Sequence, residues 1–391
     1  MNYKFKTLHN KYLRGITWNH SRGYVPMIAT AQRFGELNPG TDIQWHKRTL
    51  QEFADKPIDR LAEEFDLLVI DHPWTGFAAE NHLFVPLDNE LPATFLKDLQ
   101  KNSIGPSFKS YQHNGQLWAL PIDAATPVAS YRADLFKKKK LKVPGNFKEL
   151  LALAGKGYVI LPAIPIDTLM NFFMFCHSLK GKLFATGNEV IDEKTGIRAL
   201  DLFKSLTDKI PQECFHYNPI NVYETLTATD EFLYCPFAYG YSNYARKGYS
   251  KNNLVFSDLI GIDSKHTLRS TIGGTGIAIS QKSRHKQIAL EYAQYVASAG
   301  CQQTLYFETG GQPAHLSAWT NKKINKVTDG FFNATLPTLT KSYLRPRYNG
   351  YMYFQDRAGD VVRDYLMQGG DAKQVLEKLN QLFCESKINQ Q

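Results

Sequence analysis

The fold turns on Gly115–Phe136, GQLWALPIDAATPVASYRADLF. Asn114-Gly115 at its start is a strong reversal signal, because both residue types accept positive φ. Leu117–Leu120 then reads as a strand. Pro121 removes a backbone donor, and Asp123–Thr126 is small and polar. Val128–Tyr131 reads as a second strand, and Arg132–Phe136 as the polar start of a helix. Two strands broken by Pro and small residues suit a segment that passes from one lobe to another and bends there. They suit equally an edge strand with Pro at its end. The residues alone leave both readings open.

Upstream, Leu13–Thr17 is a short strand and Trp18–Gly23 a loop. A helix follows with Pro26 in its first turn, where Pro is tolerated, and with Met27, Ala31 and Phe34 on one face. Asn38-Pro39-Gly40 closes that unit. Asp42–His46 reads as a second strand. Leu50–Phe65 reads as a helix with Phe53, Ile58, Leu61 and Phe65 on one side. Asp66–Ile70 is a continuous apolar strand of the kind buried in a parallel sheet, and Asp71–Gly76 leaves its carboxyl end as a loop. The order β-α-β-α-β predicts an open α/β sheet. Such sheets bind ligands outside the carboxyl ends of their strands, which selects the loops Trp18–Tyr24 and Asp71–Thr75.

Downstream, Phe147–Ala154, Thr168–Leu179 (capped by Asp167) and Ala199–Leu206 are expected helices. Phe232–Tyr244 is dense in aromatics. Gly273–Gly276 runs into a strand at Ile277–Ser280. A helix at Ile288–Ser298 is expected to end at Gly300, and a second short one at Gly310-Gly311. An aromatic, Arg-rich stretch, Tyr343–Phe354, precedes two amphipathic helices at Gly359–Met367 and Ala372–Phe383. No internal repeat is visible.

Length and composition set the class. The 391 residues suffice for two to three domains of roughly 150 residues, and 43% apolar with 21% charged residues fits a soluble globular chain. The net charge of +9 admits an acidic ligand, an anionic surface or nucleic acid. Its densest run, Lys137–Lys140 with Lys142, reads as a solvated helix end, and with no recognised motif beside it no nucleic-acid partner is expected. The five cysteines are far apart and form no CxxC, which argues against a zinc ribbon or a redox dithiol. Cys176, Cys235 and Cys384 are expected as buried thiols. No apolar run approaches the ~18 residues of a membrane span. Met1–Lys6 lacks the apolar core of a signal peptide, which speaks against an exported protein and keeps a cytoplasmic location as the alternative.

The crossing segment resembles one in extracellular solute-binding proteins of the sugar-binding type, the substrate-binding family of ABC transporters. There, G-x-L-aromatic-x-x-P-x-D/E, small residues and Y-x-x-D-L-F carry the chain from the N-terminal into the C-terminal lobe. Here these are Gly115, Leu117, Trp118, Pro121, Asp123, Tyr131, Asp134, Leu135 and Phe136. The first β-α-β unit, the return at Gly276–Gly300 and the Gly310–Pro313 turn fall in the same order. The resemblance implies a type II periplasmic-binding-protein-like α/β fold with two discontinuous lobes, 1–120 plus 276–320 and 121–275 plus 321–391. It further implies a small polar ligand, a carbohydrate or sugar acid, captured in an inter-lobe cleft. No cofactor, no catalytic residue and no metal are implied. A transporter permease is the implied partner, a monomer the expected state, and the location extracytoplasmic. The alternative is an intracellular enzyme or sensor on the same fold, acting on a sugar or small carboxylic acid.

The resemblance transfers no ligand contacts, so the candidates come from loop position. Trp18 would stack on a ligand while Asn19, His20 and Arg22 supply hydrogen bonds, with Tyr24 following. The plain reading is a βα turn with solvent-facing charges. Asp71, His72 and Trp74 form the second group. Asp71-His72 is a weak acid-base or metal pair, since neighbouring side chains usually diverge, and is kept as ligand contact only. Asp123, Gly274 and Thr275 lie at the crossings, and a strand after Gly273–Gly276 argues against a nucleotide loop. Core packing explains Phe232 and Phe237, whereas Tyr239 beside Gly240 is the preferred aromatic contact. Arg345 is equally a cation near a ligand and a surface strand residue. His20, Arg22 and His72 motivate the acid option. No G-x-S-x-G, H-E-x-x-H, Walker A or EF-hand pattern occurs.

Overall fold

Strand and helix alternate from the start of the described chain. The computed structural model describes residues 11–49, 57–263 and 266–388. Strand β1 (Lys11–Trp18) leads through the helix Tyr24–Leu37 to β2 (Thr41–Arg48), and the helix Ile58–Glu64 leads to β3 (Leu67–Asp71). Met27, Ala31 and Phe34 are buried on the inner face of the first helix, at the helical spacing read from sequence. Residues 50–56 of the expected Leu50–Phe65 helix, including Phe53, lie outside the described residues.

The chain divides into two compact units, Met1–Ala124 with Gly274–Asn321 and Ala125–Gly273 with Lys322–Gln391. The first unit holds a five-stranded sheet in the order β2-β1-β3-β10-β6, where β6 is Leu120–Ala125 and β10 is Gly273–Ile279. β1 runs parallel to β2 from Lys11↔Thr41 to Trp18↔Arg48 and parallel to β3 at Gly15↔Leu67. β10 returns antiparallel to β3, with Thr275 opposite Asp71. The strand order therefore reverses about β1, and the loops after β1 and β3 flank the switch point.

Asn114 and Gly115 both take positive φ and close the hairpin of β4 (Gln112–His113) and β5 (Gln116–Leu117). Pro121 does not break the next strand. β6 continues through it to Ala125, and because β6 is the edge of the sheet, the missing N–H removes no central ladder bond. The first unit runs to Ala124 before the chain enters the second.

The second unit carries an antiparallel sheet in the order β8-β7-β9, from β7 (Pro127–Tyr131), β8 (Tyr234–Tyr239) and β9 (Val255–Ser257). Lys137–Lys140 ends the helix Ala133–Lys139 in exposed positions. The central helix Pro165–Ser178 is buried on all sides from Leu169 to Cys176, as expected for a helix apolar around its circumference. Phe175 meets Phe147, Phe203 and Phe237 at ring distances of 5.8, 5.4 and 5.8 Å.

Four local expectations are corrected. The last helices are Tyr351–Gln368 and Ala372–Ser386. The first begins eight residues before the expected Gly359, which lies inside it because a Cβ there would sit 2.7 Å from the Pro165 carbonyl oxygen. Gly300 terminates nothing, since Ser298 ends Lys286–Ala297 and caps Ala299–Gln303, accepting from the Cys301 N–H. Cys384 is exposed, while Cys176, Cys214, Cys235 and Cys301 are buried. Asp167 is no cap either. Pro165 takes the first helical position, as Pro does readily, and carries Asp167 inside.

Asp167 is 4% exposed, and its Oδ2 meets no hydrogen-bonding partner among the described residues. Burial pushes its carboxyl up to about 8. A raised carboxylate favours the fold below the ordinary value and loses that contribution as pH rises through the folded one. Stability of the second unit should therefore decline between about pH 4 and about pH 8, by at most about 1.4 kcal/mol per pH unit. Asp167→Asn should raise the melting temperature at pH 8 and flatten the decline. An unchanged profile in thermal denaturation would contradict this.

Candidate functional site

The carboxyl ends of β1, β3 and β6 and the amino end of β10 gather eleven of the sequence-derived candidates on one edge of the first unit. The turn after β1 is tightly bonded. Asn19 N–H donates to the Arg48 carbonyl at 2.7 Å, and Gly23 and Tyr24 N–H both donate to the His20 carbonyl at 2.9 and 2.8 Å. Arg22 N–H donates to His20 Nδ1 at 3.0 Å. Nδ1 is thus an acceptor, which places the ring proton on Nε2 in the neutral form. Burial, and secondarily the Arg22 charge, lowers the His20 pKa to about 4.

Arg22 turns away from solvent into a buried ion pair. Its Nε donates to Asp123 Oδ2 at 2.7 Å and its Nη2 to Asp123 Oδ1, and the two side chains are 4% and 0% exposed. Burial pushes the Asp123 carboxyl up, while the guanidinium, its hydrogen bonds and the Gln312 N–H pull it down. The bidentate geometry identifies a paired carboxylate and guanidinium. Arg22 and Asp123, read from sequence as ligand contacts, therefore satisfy each other.

Trp18 is buried in the core of the first unit. A Cβ on Gly23 would lie 2.3 Å from its indole, so the ring is packed under the turn and is no stacking platform. Asn19 is exposed, and His20 and Tyr24 are half-buried, with Lys47 Nζ 5.1 Å from the Tyr24 ring centre.

Asp71–Gly76 is not all loop, because a short helix, Trp74–Glu80, starts within it. Asp71 Oδ1 accepts the His72 N–H at 2.8 Å and lies 3.1 Å from His72 Nδ1. The neighbouring side chains thus converge, against expectation. His72 is 1% exposed and edge-on to Tyr111 at 6.5 Å. Trp74 is half-buried, edge-to-face with Phe77 at 5.7 Å. Thr275 is buried opposite Asp71. Gly274 has φ 102°, and a Cβ there would meet the Asp123 carbonyl oxygen at 2.3 Å.

Tyr239 and Arg345 belong to the second unit. Tyr239 ends β8, half-buried, with its hydroxyl 3.1 Å from Thr271 Oγ1. Arg345 is 3% exposed and donates to Gln355 Oε1 at 2.8 Å, so its sequence reading as a surface strand residue is corrected to burial against a helix.

Sequence reasoning missed Tyr111 and Gln312. The Tyr111 hydroxyl lies 3.4 and 3.5 Å from the Ile70 and Gly274 carbonyls. Gln312 Nε2 donates to the Ala124 carbonyl at 2.8 Å and its own carbonyl accepts the Ala124 N–H at 3.1 Å. Gln312 stands within a turn read for its glycines and proline, and Tyr111 gives no local signal. Among the described residues no group of three or more His, Cys, Asp or Glu is placed to hold a metal, and no helix is long and apolar enough to cross a membrane.

The sequence model of the bacterial extracellular solute-binding protein family matches residues 29–330, and the chain belongs to that family. It is similar in structure to an ABC transporter solute-binding protein of Agrobacterium radiobacter K84 in complex with ribitol, at 19% identity over 97% of this chain and 99% of that one, TM-score 0.81. Maltose-bound MalE3 of T. maritima superposes at TM-score 0.80 with 15% identity, over 97% and 99% of the chains. A tagatose-bound solute-binding protein of Thermotoga lettingae TMO gives 0.80 with 18% identity, over 95% and 100%. The fold is accordingly the two-lobed α/β fold of these binding proteins, and the family and its structural neighbours are substrate-binding proteins.

The neutral His20 carries a pH signature. A histidine pKa lowered in the fold contributes stability that is present above the unfolded value, near 6.5, and is lost as pH falls towards about 4. The melting temperature of wild type relative to His20→Gln should therefore be constant above pH 6.5 and fall as pH drops from 6.5 to about 4. A difference independent of pH would contradict the buried neutral ring.

Proposed function

We propose that the protein captures a neutral carbohydrate at the carboxyl edge of the first unit's sheet and delivers it chemically unchanged to an ABC transporter permease, outside the cytoplasm. The observation that carries this reading is that the basic side chains read as candidates at that edge are engaged or neutral within the fold. Arg22 is matched by Asp123, His20 is held neutral down to about pH 4, and His72 lies against the Asp71 carboxylate. What remains accessible is Asn19, His20 and the partly exposed Asp71 carboxylate, beside the aromatic Trp74. Sugars present apolar ring faces to aromatics and hydroxyls to such groups. The structurally similar proteins described with ribitol, maltose and tagatose support an uncharged ligand here.

Asn19, His20, Tyr24, Asp71 and Trp74 are proposed as ligand contacts. Tyr239 is proposed as the second unit's own contact. His72, Thr275 and Gly274 shape the edge from beneath, and Trp18, Arg22, Asp123 and Arg345 are engaged within the fold. Ligand binding shifts a conformational equilibrium only by its differential affinity for the two states, so capture requires tighter binding to the closed state and no bond chemistry.

A thermal-shift screen against ribitol, maltose, tagatose, uronic acids and small carboxylates tests this. A neutral sugar at 100 times its dissociation constant should stabilise the protein by about 2.7 kcal/mol and be recovered intact. Trp74→Ala should lower its affinity about tenfold, or ~1.4 kcal/mol, with little change in melting temperature. Consumption of the sugar would make the protein an enzyme, and stabilisation by acids alone would overturn the neutral-ligand reading.

A further inference from the structure

Arg22 and Asp123 stand 101 residues apart in sequence and meet in the buried core of the ligand edge. Resting on the ligand reading above, we propose that they form a positioning pair, which fixes the Trp18–Gly23 turn for ligand without touching it. A buried ion pair is a poor device for stability alone, because desolvation consumes most of the Coulomb gain and apolar side chains of similar volume serve as well. What it supplies is direction. A bidentate guanidinium–carboxylate contact fixes both the distance and the plane of the two groups.

The contacts at each end give that direction a use. At the anchor, Gln312 holds Ala124 through both its backbone and its side chain, and an isolated bridge joins Asp123 to Pro313. Asp123 therefore projects from a segment that is itself tied down. At the other end, the Arg22 backbone N–H donates to His20 Nδ1. That bond sets the imidazole's rotamer and makes Nε2–H the ring's donor. The order of contacts is thus anchor, carboxylate, guanidinium, backbone and imidazole, and only the imidazole reaches the partly exposed rim. Trp18 under Gly23 supplies packing for the turn, and packing alone does not choose the imidazole's orientation.

The test compares wild type, Arg22→Lys and the double variant Arg22→Met with Asp123→Leu. Amide hydrogen exchange and titration with ribitol, maltose and tagatose are run well below each protein's melting temperature. The double variant should melt near wild type, while the amides of residues 19–24 exchange at least tenfold faster than the rest of the first unit, and affinity for the bound sugar falls at least tenfold. Arg22→Lys keeps both charges but not the fork, and should show the same local exchange at reduced size. If residues 19–24 keep wild-type exchange in both variants, or if exchange rises evenly over the whole first unit, the pair is structural only and the proposal fails. Should the double variant not fold, Arg22→Lys decides by the same criterion. The exchange readout needs no ligand, so failure of all three sugars to bind wild type would count against the carbohydrate reading and leave the positioning pair to be judged on exchange.

Discussion

Two strands at the border of the first unit lie against each other with no space for a side chain between them. Gly274 on β10 faces the Asp123 carbonyl of β6 so closely that any Cβ would overlap it, and its φ of 102° is one that L side chains rarely adopt. This contact fixes where the chain leaves the first unit and where it returns. The other features of the proposed ligand edge adjoin it. Asp123 projects from β6 to Arg22, Arg22 stands in the turn after β1 and donates its backbone N–H to His20, and Thr275, next to Gly274, lies in register with Asp71 at the end of β3.

The same construction determines charge. The chain carries a net +9, and a reading by composition admits an acidic ligand, an anionic surface or nucleic acid. The cationic candidates of the site do not express that excess, because Arg22 and His72 lie against carboxylates and His20 is held neutral by burial. Part of the basic surplus lies in exposed positions remote in sequence, such as Lys137–Lys140. Net charge governs solubility and long-range encounter, and on the reading proposed above the local pairing governs which ligand the edge takes.

Much of the architecture is legible in sequence because it depends on short-range pattern. The Asn114-Gly115 reversal, the apolar strand at Leu67–Ile70 and the spacing of Met27, Ala31 and Phe34 are each dictated by residues close in sequence. The Gly359 and Gly300 readings fail because glycine is not always punctuation. One of these glycines is required by close contact with Pro165, on a helix distant in sequence, and the other lies within a helix begun by Ser298. The site is legible in position but not in role. Strand-end logic selects Trp18 and Arg22, and the crossing segment selects Asp123, yet only the folded chain shows Trp18 under Gly23 and Arg22 engaged with Asp123. Pairing over 101 residues leaves no trace in a single sequence. The Asp167 reading fails similarly, since its neighbour Pro165 takes the helix start.

A site whose basic candidates are engaged within the fold should accept an uncharged sugar in preference to an acidic one. Calorimetric titration of the purified protein with a neutral hexose or disaccharide and with the corresponding uronic acid, at low and high salt, measures this directly. The neutral sugar should bind more tightly, with an affinity insensitive to salt. Tighter binding of the uronic acid, weakening as salt rises, would reveal an uncompensated cation at the site and contradict this account.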